Sequence, residues 1–188
     1  MDEFFKARDY LIEQGITQPE VGIVLGTGLH QLINYIDVKQ TISYSQIPGF
    51  PISTVEFHKL NLIYGTIANK NVLVMQGRLH AYEGYSMQQI VFPIRVMKLL
   101  GVQKLFLSNA AGGININLKK GDLVLIDDHI NLLYGNPLSG KNYDELGPRF
   151  PDMSEPYDPY LKSLLQQKAS ELNINLNYLT YFLFMVQR

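Results

Sequence analysis

Short apolar runs that alternate with amphipathic segments dominate the pattern of this chain. The runs have the length of buried strands, and turn residues or small polar residues follow each of them. Strands are predicted on this basis over 21–25, 60–67, 71–75, 104–107 and 122–126. The second and third of these are joined by a short turn, which indicates a hairpin.

Amphipathic helices are predicted around and between these strands. Apolar positions recur at helical spacing over 2–14, 86–100 and 157–172. Ser86 supplies an N-cap for the second helix and Gly101 ends it, whereas Pro93 inside predicts a kink or an interrupted turn. Stretches rich in proline, glycine and serine predict loops over 41–58 and 133–156. Short strands alternating with helices indicate an α/β fold with a substantially parallel sheet.

Size and composition narrow the kind of protein further. The 188 residues predict one compact domain, and a net charge of −1 gives no basic footprint for nucleic acid. The chain has no cysteine, so disulfides and thiolate metal sites are excluded. The first residues lack the form of a signal peptide, and no apolar run approaches the roughly 20 residues that cross a bilayer. We therefore expect a cytoplasmic protein that binds neither nucleic acid nor membrane.

The segment Gln76–Gly84 carries the densest candidate chemistry. It follows a predicted buried strand and brings Arg78, His80, Tyr82 and Glu83 close together. Arginine offers a planar fork of donors to an anion, and histidine adds a donor that can be charged near neutral pH. Open α/β folds bind ligands at such strand ends. The pattern favours an anion-binding loop, and the alternative is a surface arginine that pairs with Glu83.

Two other strand ends carry small residues. Gly26-Thr27-Gly28 predicts either a phosphate cradle of backbone N–H groups and a hydroxyl or a plain tight turn. Gln31 stands where a dinucleotide fingerprint needs glycine. Asn109–Gly113 allows a ligand close to its backbone, or a tightly packed connection. The four histidines share no metal-ligand spacing, and the absence of a Gly-x-Ser-x-Gly elbow disfavours a serine hydrolase.

Taken in order, these segments resemble the trimeric purine nucleoside phosphorylases. The resemblance covers most of residues 20–172. It rests on Val24–Leu29, Phe50–Thr54, Gln76–Gly84, Ser108–Gly113, Asp128–Leu132 and Arg149–Ser154. The Asn-Ala-Ala-Gly-Gly form is closer to the nucleoside phosphorylases than to their methylthioadenosine-cleaving relatives. The resemblance implies a three-layer α/β fold with a central mixed, mostly parallel sheet flanked by helices.

The resemblance also implies an activity. A pentosyltransferase of purine salvage would cleave purine (deoxy)ribonucleosides with phosphate, giving the free base and (deoxy)ribose 1-phosphate. Phosphate is then a co-substrate, and no metal or other cofactor is implied. Holding the phosphate beneath the ribose would stabilise the positive charge that develops there. The alternative is an inactive remnant that binds phosphate or ribose phosphate only.

Residue roles follow from the family motifs. The implied phosphate ligands are Thr27, Arg78, His80 and the backbone N–H of Ala110, with Arg78 and His80 as the catalytic pair. Tyr82 would contact the ribose and His58 would lie near its 5′ end. Phe150 would cover the ribose in the site of a neighbouring subunit, so a complete protein would form a homotrimer.

The sequence departs from the family after the helix predicted to end near Leu172. The family's base-binding Gly-Pro-x-Phe-Glu-Thr loop, on which the choice between 6-oxo and 6-amino purines depends, has no counterpart here. We therefore expect a single, incomplete domain over 1–188 that ends in an atypical apolar tail, 177–188. The tail is interpreted as an out-of-frame reading after an interrupted gene, and the alternative is a replacement strand that caps the sheet.

Overall fold

A computed structural model describes residues 1–26, 28–52 and 60–183. Their contacts separate into two compact units. The first unit comprises Met1–Ala110 with Tyr143–Leu146, and the second comprises Ala111–Asn142 with the chain from Gly147 onward. Within the described ranges, no helix has the length and apolar character needed to cross a membrane. The single, incomplete domain stays a prediction.

The first unit is built on a five-stranded sheet. Its helices and strands, in chain order, are α1 (Asp2–Glu13), β1 (Val21–Val24), β2 (Asp37–Ser43), β3 (Asn61–Ile67), β4 (Lys70–Gln76), α2 (Met87–Leu99) and β5 (Lys104–Leu107). The strand order is β2-β3-β4-β1-β5. Strand β1 pairs in parallel with β4 and β5, and β3 pairs antiparallel with β2 and β4. This mixed sheet with flanking helices confirms the predicted fold class.

Local sequence explains the element ends. Ala68 and Asn69 both have positive φ, +48° and +60°, and form the two-residue turn of the β3–β4 hairpin. The Ser86 hydroxyl accepts from the backbone N–H of Gln89, whose side chain accepts from the backbone N–H of Ser86, a reciprocal cap for α2. Helix α2 runs on through Pro93 as one helix.

Strand β2 was not predicted from the sequence, and the loop predicted over 41–58 overlaps its last three residues. It is the outermost strand beside β3, and of its side chains only Ile42 is buried. An edge strand with Lys39, Gln40 and Thr41 in its middle carries little apolar pattern, since one strand edge and much of its surface face water. Its sequence therefore gave no strand signal.

Apolar side chains cover both faces of β3 and β4 in the five-stranded sheet. Successive strand residues point to opposite faces. Leu73 and Met75 lie in the cluster that includes α1 and α2, whereas Val72 and Val74 pack with Ile33 from the 3-10 turn at 30–35. The sheet is thus the middle layer of the first unit, and its strand ends rest on a packed core.

The second unit contains β6 (Leu123–Asn131), α3 (Pro159–Glu171) and β7 (Leu176–Leu183). Strands β6 and β7 pair in parallel, and the Asp158 carboxylate caps α3 by accepting from the backbone N–H of Leu161. Residues 177–183 of the predicted atypical tail therefore lie in a strand. The tail's origin stays a hypothesis, and residues 184–188 lie outside the described ranges.

Candidate active site at the ends of three parallel strands

The parallel pairing of three strands gathers the predicted motifs at one edge of the sheet. Val24 at the end of β1 is in register with Met75 of β4 and with Leu107 of β5. The residues that follow these three positions therefore leave the sheet at the same edge, among them Leu25, Gly26, Gly77, Arg78 and Ser108. This is the edge at which open α/β folds bind ligands.

Arg78 is half-buried, and its side chain is held by the residue that follows β5, two strands away in the sheet. Its Nη1 donates to the backbone oxygen of Ser108 at 2.9 Å. Gly77, with φ +93°, turns the chain out of β4 just before it, a conformation that favours glycine. No ion pair joins Arg78 to Glu83 in the described part of the chain, so the surface-pair alternative is not what the geometry shows.

His80 and Tyr82 present their rings together. The two rings stack with centroids 4.8 Å apart and planes 12° apart. Leu79 between Arg78 and His80 is buried and anchors the segment to the core. The Tyr82 side chain is 77% exposed, which leaves an aromatic face open to a ligand.

The β1 loop approaches β5 too closely for any side chain at Gly26. A Cβ there would lie 2.6 Å from the backbone oxygen of Ser108. The Gly26 N–H donates to Ser108 Oγ at 2.9 Å, so this amide is committed within the protein and does not serve the predicted phosphate cradle. Thr27, the other predicted ligand of this loop, lies outside the described residues, as does His58.

Ser108 lies at the centre of the candidate site, although no role was predicted for it from the sequence. Its Oγ accepts from Gly26 and donates to the Val24 carbonyl at 3.1 Å, and its own N–H donates to the same carbonyl at 3.1 Å. A serine directly after a predicted strand was the signal that the sequence offered. Ala110, two residues on, is exposed.

Tyr44 contacts the chain at the same edge of the sheet. Its hydroxyl donates to the Gly77 carbonyl at 3.5 Å, and its ring meets Phe50 edge to face at 5.1 Å. Burial raises the pKa of the Tyr44 phenol well above its usual range, so the group stays protonated and keeps its donor.

Phe150 lies in the second unit. Its side chain is 87% exposed. The neighbouring Arg149 donates through Nη1 to the carbonyls of Leu138 at 3.0 Å and Gly140 at 2.6 Å, and its guanidinium lies 5.9 Å from the Phe150 ring centroid. The loop that carries Phe150 is therefore tied down while the ring projects outward.

The second unit also holds an open cleft of about 430 Å³ lined by charged side chains. Lys162 in it lies 2.9 Å from an Asp127 oxygen and 3.7 Å from a Glu155 oxygen, and the hydrogen bond to Asp127 raises the pKa of Lys162. His129, just beyond, hydrogen-bonds through Nε2 to the Tyr157 hydroxyl at 2.5 Å. Across the described residues, no three histidine, aspartate or glutamate side chains are grouped to hold a metal.

The fold and the first unit's loops define an α/β protein with a candidate ligand site at the carboxyl ends of parallel strands. The chain matches the phosphorylase superfamily over residues 20–182. It is 48% identical over 171 residues to purine nucleoside phosphorylase 1 of Geobacillus stearothermophilus, covering 91% of this chain and 62% of the relative. It is 46% identical over 173 residues to purine nucleoside phosphorylase 1 of Bacillus subtilis, covering 92% and 64%.

A solved structure gives the same result for the fold. Isoform 2 of purine nucleoside phosphorylase from Schistosoma mansoni, in complex with cytosine and ribose-1-phosphate, superposes with a TM-score of 0.93 at 44% identity, covering 100% of this chain and 67% of that one. The chain therefore belongs to the purine nucleoside phosphorylases of the phosphorylase superfamily, as its motifs predicted. It spans about three fifths of the length of the bacterial relatives it matches.

Proposed function

We propose that the protein acts in cytoplasmic purine salvage as a purine nucleoside phosphorylase. The substrates would be a purine (deoxy)ribonucleoside and inorganic phosphate, and the products a free purine and (deoxy)ribose 1-phosphate. The observation that carries the proposal is the convergence of three strand-end loops, with the Arg78 guanidinium fixed on Ser108 at their centre. The relative with bound ribose-1-phosphate supports the same chemistry.

The proposed reaction is a displacement at the anomeric carbon. A phosphate oxygen forms a bond to C1′ while the C1′–N9 bond breaks, and the electron pair leaves with the purine, which takes up a proton. Positive charge develops on the ribose in the transition state, and the phosphate dianion beneath it provides the opposite charge. Arg78 and His80 would hold that dianion, together with the backbone N–H of Ala110 and the Thr27 hydroxyl. Phosphate is then the co-substrate, and the mechanism uses no metal.

Arginine suits this task because its planar fork presents several donors to a tetrahedral anion. One of Arg78's donors is committed to Ser108, which fixes the plane of the others. Preorganised donors of this kind stabilise developing charge without reorganising during the reaction. The rate advantage of Arg78 would therefore come from position as well as from charge.

The ribose would be held by aromatic side chains. Tyr82 offers an exposed ring beside His80, and His58 would lie near the 5′ end of the sugar. Phe150 would reach the site of a neighbouring subunit, which makes a homotrimer part of the proposal. The exposure of Phe150, Ile116 and Tyr134, at 87%, 96% and 84%, supports a surface of the second unit that is covered by another subunit.

The test is an inosine phosphorolysis assay run beside a phosphate titration of the same protein. We expect hypoxanthine and ribose 1-phosphate to form only when phosphate is present. Arg78→Ala should strongly lower both turnover and phosphate affinity, whereas Arg8→Ala on α1, where the arginine pairs with Asp9 at the surface, should change neither. Phosphate binding without turnover would favour the inactive remnant, and no phosphate affinity would contradict both readings.

A further inference from the structure

We propose that Ser108 is the positioning residue of the phosphate site, tying the β1 loop and Arg78 into one arrangement. The identity of the anion as phosphate rests on the proposed function. Ser108 itself does not touch the substrate in this account. It acts through the two groups that it holds, the Arg78 guanidinium and the backbone at Gly26.

Ser108 is the point where all three strand-end loops meet. Its Oγ accepts from the Gly26 N–H at 2.9 Å and donates to the Val24 carbonyl at 3.1 Å. Its backbone oxygen accepts from Arg78 Nη1 at 2.9 Å. One residue at the end of β5 is therefore bonded to the loop after β1 and to the loop after β4.

A hydroxyl is the group that this junction needs. The Oγ must accept from one backbone group and donate to another at the same time, which a hydroxyl does and a methyl group does not. Without it, the partly buried Gly26 N–H would lose its acceptor, and an unmade hydrogen bond of this kind is costly. The β1 loop would then move to find another acceptor, and no room exists on the side of Ser108, since even a Cβ at Gly26 would collide there.

Movement at this junction would reach the anion site directly. The backbone oxygen that holds Arg78 belongs to the same residue as the Oγ that holds Gly26, so a shift of one shifts the other. Small misplacements of binding groups lower activity strongly, because charge stabilisation depends on orientation. Arg78, whose guanidinium is bonded to Ser108 itself, would be affected more than Tyr82, the proposed ribose contact on the β4 loop beyond Leu79.

The experiment compares Ser108→Ala with Ser108→Thr, which keeps the hydroxyl, and with Ser163→Ala, an exposed serine of α3. The first readout is hydrogen exchange of the Gly26 amide, which needs no ligand. We expect this amide to exchange at least about fivefold faster in Ser108→Ala than in wild type, from the loss of one hydrogen bond. Ser108→Thr and Ser163→Ala should keep the wild-type exchange rate.

The second readout is the Kd for inorganic phosphate, with the KM for phosphate and for inosine beside it. We expect Ser108→Ala to weaken phosphate binding about five- to tenfold while the KM for inosine changes less than about twofold. Ser108→Thr should restore phosphate binding. Where the alanine variant fails to fold, Ser108→Cys, which keeps only a weak hydrogen-bonding group, should show the same selective loss.

Equal phosphate affinity in Ser108→Ala and wild type would overturn the role of Ser108, whatever the activity of the protein. Parallel increases in both KM values would overturn it too, because they would indicate a general structural defect. A wild-type protein that binds phosphate but does not cleave inosine would contradict the proposed function alone, and the comparison of phosphate affinities would still decide the role of Ser108. No phosphate binding by the wild type would overturn both.

Discussion

The two units of this protein differ sharply in how they treat apolar side chains. Among the described residues, every buried apolar side chain except Ala169 belongs to the first unit. The second unit instead exposes large apolar side chains on its loops and strands, among them Ile116, Leu132 and Tyr134. The first unit therefore has the packing of a folded core, whereas the second leaves much of its apolar surface exposed.

This difference matches the roles that we assign to the two units. Loops that must hold an anion in a fixed geometry need packed support, and the strand-end loops stand directly on the core of the first unit. A surface that completes the site of another subunit must project outward, as Phe150 does. A pair of strands such as β6 and β7 has little stability alone, so such a unit depends on further contacts.

Shortening an apolar side chain should change the free energy of unfolding far more in the first unit than in the second, and this is the largest effect that we expect. Leu73 is fully buried in the first unit and Leu132 is 63% exposed in the second. We expect Leu73→Ala to lower the free energy of unfolding by about 2–5 kcal/mol, from lost burial and the cavity left behind. Leu132→Ala should change it by less than about 0.5 kcal/mol. Urea unfolding measures the free energy of unfolding of both variants. Similar losses in the two variants would contradict the difference in packing between the two units.

Removal of the guanidinium should come next in size. We expect Arg78→Ala to lower kcat/KM for phosphorolysis by about a hundredfold or more, the usual loss for one preorganised charge-stabilising group. Steady-state kinetics with varied phosphate measures the loss, with Arg8→Ala as the matched control. A fall of less than about threefold would remove Arg78 from the anion site.

Mixing variants tests whether Phe150 serves a neighbouring subunit. We expect Phe150→Ala to raise the KM for nucleoside about tenfold, because an aromatic cover over the ribose is lost. The Phe150→Ala protein is then dissociated and reassembled with an equal amount of Arg78→Ala protein. About a quarter of the sites in the mixture should be intact, since each intact site takes Arg78 from one subunit and Phe150 from the next. Activity that stays at the sum of the two variants would place Phe150 outside the neighbour's site.

The smallest effect concerns alkaline pH. Burial raises the pKa of Tyr44, so the folded state keeps the phenol proton to higher pH than the unfolded chain does. Its contribution to stability is therefore complete below the ordinary tyrosine value of about 10 and declines above it, by about 1.4 kcal/mol per pH unit. Urea unfolding between pH 9 and 11.5 should show this decline in wild type and in Tyr35→Phe, an exposed control, but less of it in Tyr44→Phe. Equal declines would contradict the assignment.

The sequence predicted those parts of the fold that have an internal signal. Buried strands such as β1 and β4 are continuous apolar runs, and α2 carries both an amphipathic stripe and a capping residue. Strand β2 has neither, because its residues face water at the edge of the sheet. Strand β7 was considered only as the alternative for the atypical tail, since its pairing with β6 is a long-range contact that the sequence does not show.

The candidate site was predicted in its residue types but not in its connections. The loop from Gly77 to Tyr82 stands out because charged and aromatic residues follow a buried strand. The junction at Ser108 does not stand out in this way, because its partners Gly26 and Arg78 are distant in sequence. One of the two hydrogen bonds uses the backbone N–H of Gly26, and the other uses the backbone oxygen of Ser108. Contacts of that kind depend on strand register, which only the folded chain defines.

The central claim is that the strand-end loops of the first unit bind phosphate. Its most direct test is a phosphate titration of the wild-type protein that is monitored by amide NMR. We expect saturable shifts in two segments of the first unit, 77–80 and 108–110, and no saturable shifts around the charged cleft of the second unit at 127–128 and 154–156. The same titration of Arg78→Ala should show no saturation. Saturable shifts confined to the second unit, or an unchanged titration in Arg78→Ala, would contradict the account.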